Sequence, residues 1–113
     1  MDYFERLQDH IVGKEEIMKR FCDQEEFWIK YIRRFKYDDK TFGMIKQAVK
    51  ANDIEKMCDY SHMLKGVAAT LGFCRMEKLN AEILAAARNE RRVDIRTFKM
   101  LEEEYEAVIN KIY

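Results

Sequence analysis

Ser61-His62-Met63-Leu64-Lys65-Gly66-Val67-Ala68-Ala69-Thr70-Leu71-Gly72 is the stretch whose period decides the fold. It reads as the second half of an amphipathic helix that begins near Asp53. With Leu64 at the centre of the apolar face and about 100° per residue, Ile54, Met57, Ser61, Ala68 and Leu71 fall within about 80° of it. His62 falls about 160° away and is predicted to face water. Gly66 lies one turn beyond the histidine and Ala69 nearly two turns beyond, so no bulky side chain flanks the imidazole on that side. Lys65, at i+3, has the reach to place its ammonium beside whatever the ring carries. Glycine inside a helix costs about 1 kcal/mol relative to alanine, so helix stability is not what favours Gly66.

That grouping points to nucleophilic chemistry. An ordinary histidine has a pKa of about 6.5, so near neutral pH much of an exposed ring is neutral and able to attack an electrophile. If the electrophile is a phosphoryl group, the product carries about −2 of charge, which Lys65 would stabilise as a point cation. The missing side chain at Gly66 would leave room for the group and for the protein that delivers it.

The helix pattern continues in both directions. Gly72 is a helix-stop glycine, and a further helix is predicted from about Arg75 to Asn89, with Met76, Leu79, Ile83 and Ala86 or Ala87 inward. Asn89-Glu90-Arg91-Arg92 is a polar turn. Asp94 then caps a last helix with Ile95, Phe98, Leu101, Tyr105, Val108 or Ile109, and Ile112 at core spacing. Upstream, Asp53 caps the His62 helix. Asp38-Asp39-Lys40-Thr41 marks a break inside a long helix running from about Gln24 to Lys50. Asp23 to Glu26 has the D-x-x-E form of a capping box, and Phe27, Trp28, Tyr31, Ile32 and Phe35 form an aromatic stripe expected in the core. Arg33, Arg34 and Lys36 are expected as a solvated edge beside it. Phe4, Leu7 and Ile11, then Ile17, Met18 and Phe21, mark two helices too short to be stable alone.

The predicted fold is all-α: an up-down antiparallel four-helix bundle over residues 23–113, with residues 1–22 as short N-terminal helices covering one end. At 113 residues the chain has material for one domain. Absent proline and scarce glycine favour helix throughout. Acids and bases balance at 21 each, which gives no support for nucleic acid or membrane binding. No apolar run reaches the roughly 18 residues of a membrane span, and the N-terminus lacks the features of a signal peptide, so a cytoplasmic location is the expectation. Cys22, Cys58 and Cys74 share no C-x-x-C spacing and are expected as reduced, partly buried thiols. His10 is the only other histidine, and no paired ligand spacing surrounds His62, so no metal site is expected.

His62-Met63-Leu64-Lys65-Gly66 followed by small residues and a closing Leu71-Gly72 resembles the motif of histidine-containing phosphotransfer (HPt) domains. The resemblance extends over most of the chain from about Asp23. Ser61 and Met63 stand where members often have alanine and threonine, and Met63 alters the flank where a partner is chosen. The resemblance implies a phosphocarrier in a multistep two-component phosphorelay, with His62 as phosphoacceptor, Lys65 stabilising the phosphoryl group, and Gly66 and Ala69 giving steric access. The implied partners are receiver domains of a hybrid histidine kinase and of a response regulator. The divalent metal belongs to the receiver, and the chain itself needs no cofactor. Lacking any nucleotide-binding motif, it is expected to have no autokinase activity and to be a free-standing monomer. Two other classes stay open from sequence: the dimerisation helix pair of a sensor kinase, which usually has an acid directly after its histidine, and a non-catalytic helical adaptor.

Overall fold

The computed structural model describes residues 2–113, and among them every regular element is helical. Two short helices, α1 (Tyr3–Arg6) and α2 (Lys14–Arg20), precede α3 (Glu25–Asp38), α4 (Thr41–Lys50), α5 (Ile54–Leu71), α6 (Cys74–Ala85) and α7 (Ile95–Asn110). The result is a rod of 41 × 23 × 21 Å in which α5 packs between α4 and α6, and α7 packs on α6. α7 also meets α4, where the Phe42 ring stacks 4.2 Å from Tyr105 and Lys46 pairs with Glu102 at 3.2 Å. Short turns join the successive long helices into a helical bundle.

Local chemistry sets the boundaries. Asp53 Oδ1 accepts from Lys56 N at 3.1 Å and Asp94 Oδ1 from Thr97 N at 3.1 Å, so both predicted N-caps are made. Gly72 ends α5 in the left-handed region at φ 89°, and Phe73 N bonds back to Ala68 O at 2.9 Å. A β-carbon at Gly72 would sit 2.9 Å from Ile17 Cδ1, so the same residue lets the N-terminal segment approach the bundle. At the α3–α4 break, Asp39 Oδ1 accepts from Thr41 N at 2.8 Å. Burial and the nearby Asp39 carboxylate raise the Tyr105 phenol above its ordinary value.

The core is built from Trp28, Ile32 and Phe35 of α3, Met57, Leu64 and Ala68 of α5, and Met76, Ile83, Leu101 and Val108 beyond. Trp28 is fully buried, and its indole N–H donates to Leu71 O at 2.9 Å, which ties the start of α3 to the end of α5. The N-terminal helices lie against this end, where Val12 N bonds Gly72 O at 2.9 Å. They also meet the C-terminus: Arg6 Nε donates to Lys111 O at 3.0 Å, Tyr113 N donates to Tyr3 Oη at 3.1 Å, and Arg6 stacks on the Tyr113 ring.

Several expectations are corrected. The Asp23–Glu26 capping box does not form: Cys22 and Asp23 are both left-handed, at φ 54° and 58°, and turn the chain so that Gln24 precedes α3 without a side-chain cap. Phe27 and Tyr31 are exposed, because the face centred on Trp28, Ile32 and Phe35 leaves them about 100° and 60° to one side of Trp28. Ile95 is likewise exposed, and so is Cys22. Lys36 is drawn out of the solvated edge, its ammonium donating to Ile112 O. The helix predicted to end at Asn89 does continue past Ala85, but as a π-helical turn, Ala86–Glu90, closed by left-handed Arg91. No helix among the described residues is long and apolar enough to cross a membrane.

Candidate functional site

α5 carries the candidate residues, and its burial pattern follows the helical period. Met57, Ser61, Leu64, Ala68 and Leu71 are buried on one side, while His62, Met63, Gly66 and Thr70 are exposed on the other. Ser61 and Leu64, on either side of His62 and Met63, are fully buried and anchor this part of α5 in the core. Among the described residues no side chain hydrogen-bonds the His62 ring. A β-carbon at Gly66 would meet no heavy atom within 4 Å, so the surface beside the imidazole is open space.

The remaining two candidates occupy the other side of the histidine. Lys65 is half-buried, lies about 60° from His62 around the helix, and has no carboxylate within 4.0 Å among the described residues. Ala69 is half-buried, and its carbonyl accepts from the Arg20 guanidinium of α2, which Glu16 holds at 3.1 Å. Two turns beyond the histidine, the outer face is therefore partly covered by a side chain from the N-terminal segment.

On the Gly66 side, α3 and α5 leave an open groove of about 850 Å³ with His62 on its edge. Met63, Gly66, Val67, Thr70 and Leu71 line it from α5; Tyr31, Arg34, Phe35 and Asp38 line it from α3, with Phe21 and Asp39 at its ends. Thr70 directs its hydroxyl to Gly66 O at 3.0 Å, so that polar group is turned into its own helix. Sequence reasoning placed Tyr31 in the core and Arg34 on a solvated edge. Their helical angles, about 60° and 120° from Trp28 on the same side, lie outside the buried arc, which by itself does not say what a residue faces.

The family model for the Hpt domain matches residues 39–111, well over half of the chain. The chain belongs to the Hpt-domain family. Hpt domains serve histidine phosphotransfer in phosphorelays and are phosphocarriers rather than kinases; their partners are receiver and response-regulator domains. Comparison of this Hpt chain with curated proteins and with solved structures gave no match. The match spans all of α4 to α7, including His62, and begins just after α3, leaving α1, α2 and α3 outside it.

Proposed function

We infer that this chain is a phosphorelay intermediate that takes a phosphoryl group from a receiver aspartate onto His62 and passes it to another receiver aspartate. A ring nitrogen of neutral His62 attacks phosphorus, the nitrogen–phosphorus bond forms, and the phosphorus–oxygen bond breaks to release the receiver carboxylate. The proton on the other ring nitrogen stays where it is. The second transfer reverses the roles, with a carboxylate oxygen attacking and the imidazole leaving. Lys65 would neutralise the group during its stay, and the empty space at Gly66 would admit the donor's active-site surface.

The observation that carries this reading is the exposed His62 ring, hydrogen-bonded by no side chain among the described residues, beside a glycine whose added β-carbon would meet nothing within 4 Å outside its own helical turn. The single chain also supplies all of its own bundle helices, as a phosphocarrier needs and a sensor-kinase helix pair does not. The test is to mix the protein with a panel of phosphorylated receiver domains and assay for acid-labile, base-stable label. Label is expected on the wild type and absent from His62→Gln, with the fold intact because an exposed side chain contributes little to stability. Uptake by His62→Gln equal to wild type would overturn the assignment. ATP alone should leave the chain unlabelled.

A further inference from the structure

His62 has an acid as well as a cation one turn away. Asp59 precedes it by three residues, so it lies about 60° around α5 and about 4.5 Å down the axis, with the β-carbons about 5–6 Å apart. We propose that Asp59 is a positioning residue for phosphotransfer: its carboxylate accepts the Nδ1 proton of His62, which leaves Nε2 as the nitrogen that attacks phosphorus. The proposal rests on the phosphocarrier reading and adds what prepares the ring.

Helix geometry favours the contact. Side chains on an α-helix lean towards its N-terminus, so the His62 ring leans over the turn that carries Cys58 and Asp59, and Lys65 leans over His62. Asp59, His62 and Lys65 thus follow one ridge, with acid, imidazole and cation in order. Nδ1 is the ring nitrogen nearer the backbone, within reach of an aspartate one turn below, and Nε2 lies at the outer end. The two side chains are not bonded to one another in the structure. Both are exposed, and a change of staggered rotamer brings them together.

The other candidate acceptors are worse placed. Cys58 is half-buried and its sulfur is a weak acceptor. Glu55 stands two turns back, about 10 Å along the axis. Asp38 lines the groove from α3, and Asp39 already accepts the Thr41 N–H. Asp59 has no cation within 4.0 Å among the described residues, so Lys56, its neighbour one turn back, does not occupy it.

Chemistry gives the contact a use. In water a free imidazole favours the tautomer with its proton on Nε2, which occupies the lone pair that must attack. An acceptor at Nδ1 reverses that preference and fixes the plane of the ring. During transfer the Nε2 lone pair forms the bond to phosphorus, and the phosphorus–oxygen bond breaks onto the receiver carboxylate. The positive charge that develops on the ring is shared with Asp59 through the retained Nδ1 proton. Asp59 lies on the N-terminal side of the ring and Gly66 on the C-terminal side, so the acid holds the imidazole without filling the open space.

The experiment compares wild type with Asp59→Ala, Asp59→Asn, Asp59→Glu and, across the groove, Asp38→Ala. Both positions are exposed, so the variants should fold. Nitrogen NMR of the isotope-labelled imidazoles in mildly alkaline solution reads the tautomer, with His62→Gln identifying which signals belong to His62 and which to His10. The rate of labelling by phosphoramidate, which needs no docked protein and releases ammonia, reads the nucleophile. Wild-type His62 should hold its proton mainly on Nδ1. In Asp59→Ala the proton should move mainly to Nε2 and labelling should slow by about three- to fivefold, the scale of an exposed charge pair. Asp59→Asn, which keeps an acceptor without its charge, should fall between the two, and Asp59→Glu should recover the wild-type tautomer and rate. Asp38→Ala should move neither. A wild-type proton mainly on Nε2, or an Asp59→Ala tautomer and rate matching wild type, would overturn the role of Asp59. Failure of wild type to take label from phosphoramidate and from every phosphorylated receiver would instead overturn the phosphocarrier reading, while the NMR signals would still report whether Asp59 holds the ring.

Discussion

His10 Nδ1 lies 2.7 Å from Glu104 Oε2, joining two buried side chains 94 positions apart in the chain. Lys111 Nζ approaches the other ring nitrogen at 2.8 Å, and because an ammonium can only donate, Nε2 accepts and Nδ1 carries the proton offered to Glu104. The contact fastens the segment between α1 and α2 onto α7. Replacing His10 by alanine leaves a buried carboxylate with only Arg75, 3.7 Å away, and should cost about 3 kcal/mol. Urea titration should show the midpoint fall by about 1–3 M, that loss divided by the slope, whereas the pair His10→Leu with Glu104→Met should lose much less.

Gly66→Ala should separate stability from function. Its β-carbon meets nothing within 4 Å, so the gain of about 1 kcal/mol in helix propensity is unopposed and the thermal midpoint should rise by about 4–8 °C. Gly66→Leu should also keep the fold while filling the space beside His62, and receiver-dependent labelling should fall sharply. A leucine variant that takes label at the wild-type rate would show that the open space has no part in transfer.

Gly72→Ala should do the reverse. Its φ of 89° and the 2.9 Å approach to Ile17 Cδ1 and Cγ1 put both backbone and packing against a side chain there. The expected loss is about 1–3 kcal/mol, read as a lower urea midpoint at an unchanged slope.

Asp94 gives a pH-dependent prediction. Hydrogen bonds from the Thr97 side chain and backbone hold its carboxyl below the ordinary 3.8. A carboxyl whose value is lowered on folding stabilises fully above the unfolded value and loses that contribution as pH falls through the folded one. Asp94→Ala should therefore cost about 1 kcal/mol near neutral pH, the usual worth of a helix cap, and the gap to wild type should close below about pH 4. Guanidinium melts at several pH values would show it; a gap that widens in acid would contradict the cap.

The outward position of His62 and the bareness of Gly66 were legible because one helix with a clean period fixes its own faces. The caps at Asp53 and Asp94 and the stop at Gly72 were legible for a similar reason, each being a local arrangement over a few residues. What escaped depends on how helices incline against one another. Tyr31 sits only about 60° from Trp28, and whether that angle is buried depends on the lean of α3 over α5. Arg20 reaches Ala69 from a helix of seven residues whose placement no local pattern gives. His10 and Glu104 each sit among other polar residues at distant positions, and nothing in either neighbourhood announces the other. The Asp23–Glu26 motif misled because two left-handed residues outweighed it at the turn.

The clasp between Tyr3, Arg6, Lys111 and Tyr113 brings the two ends of the chain side by side. A short flexible linker could thus join them, and the exposed turn at Arg91 and Arg92, after the π-helical segment, could be opened to make new ends. Such a circular permutant would keep every helix in place while reversing which elements leave the ribosome first.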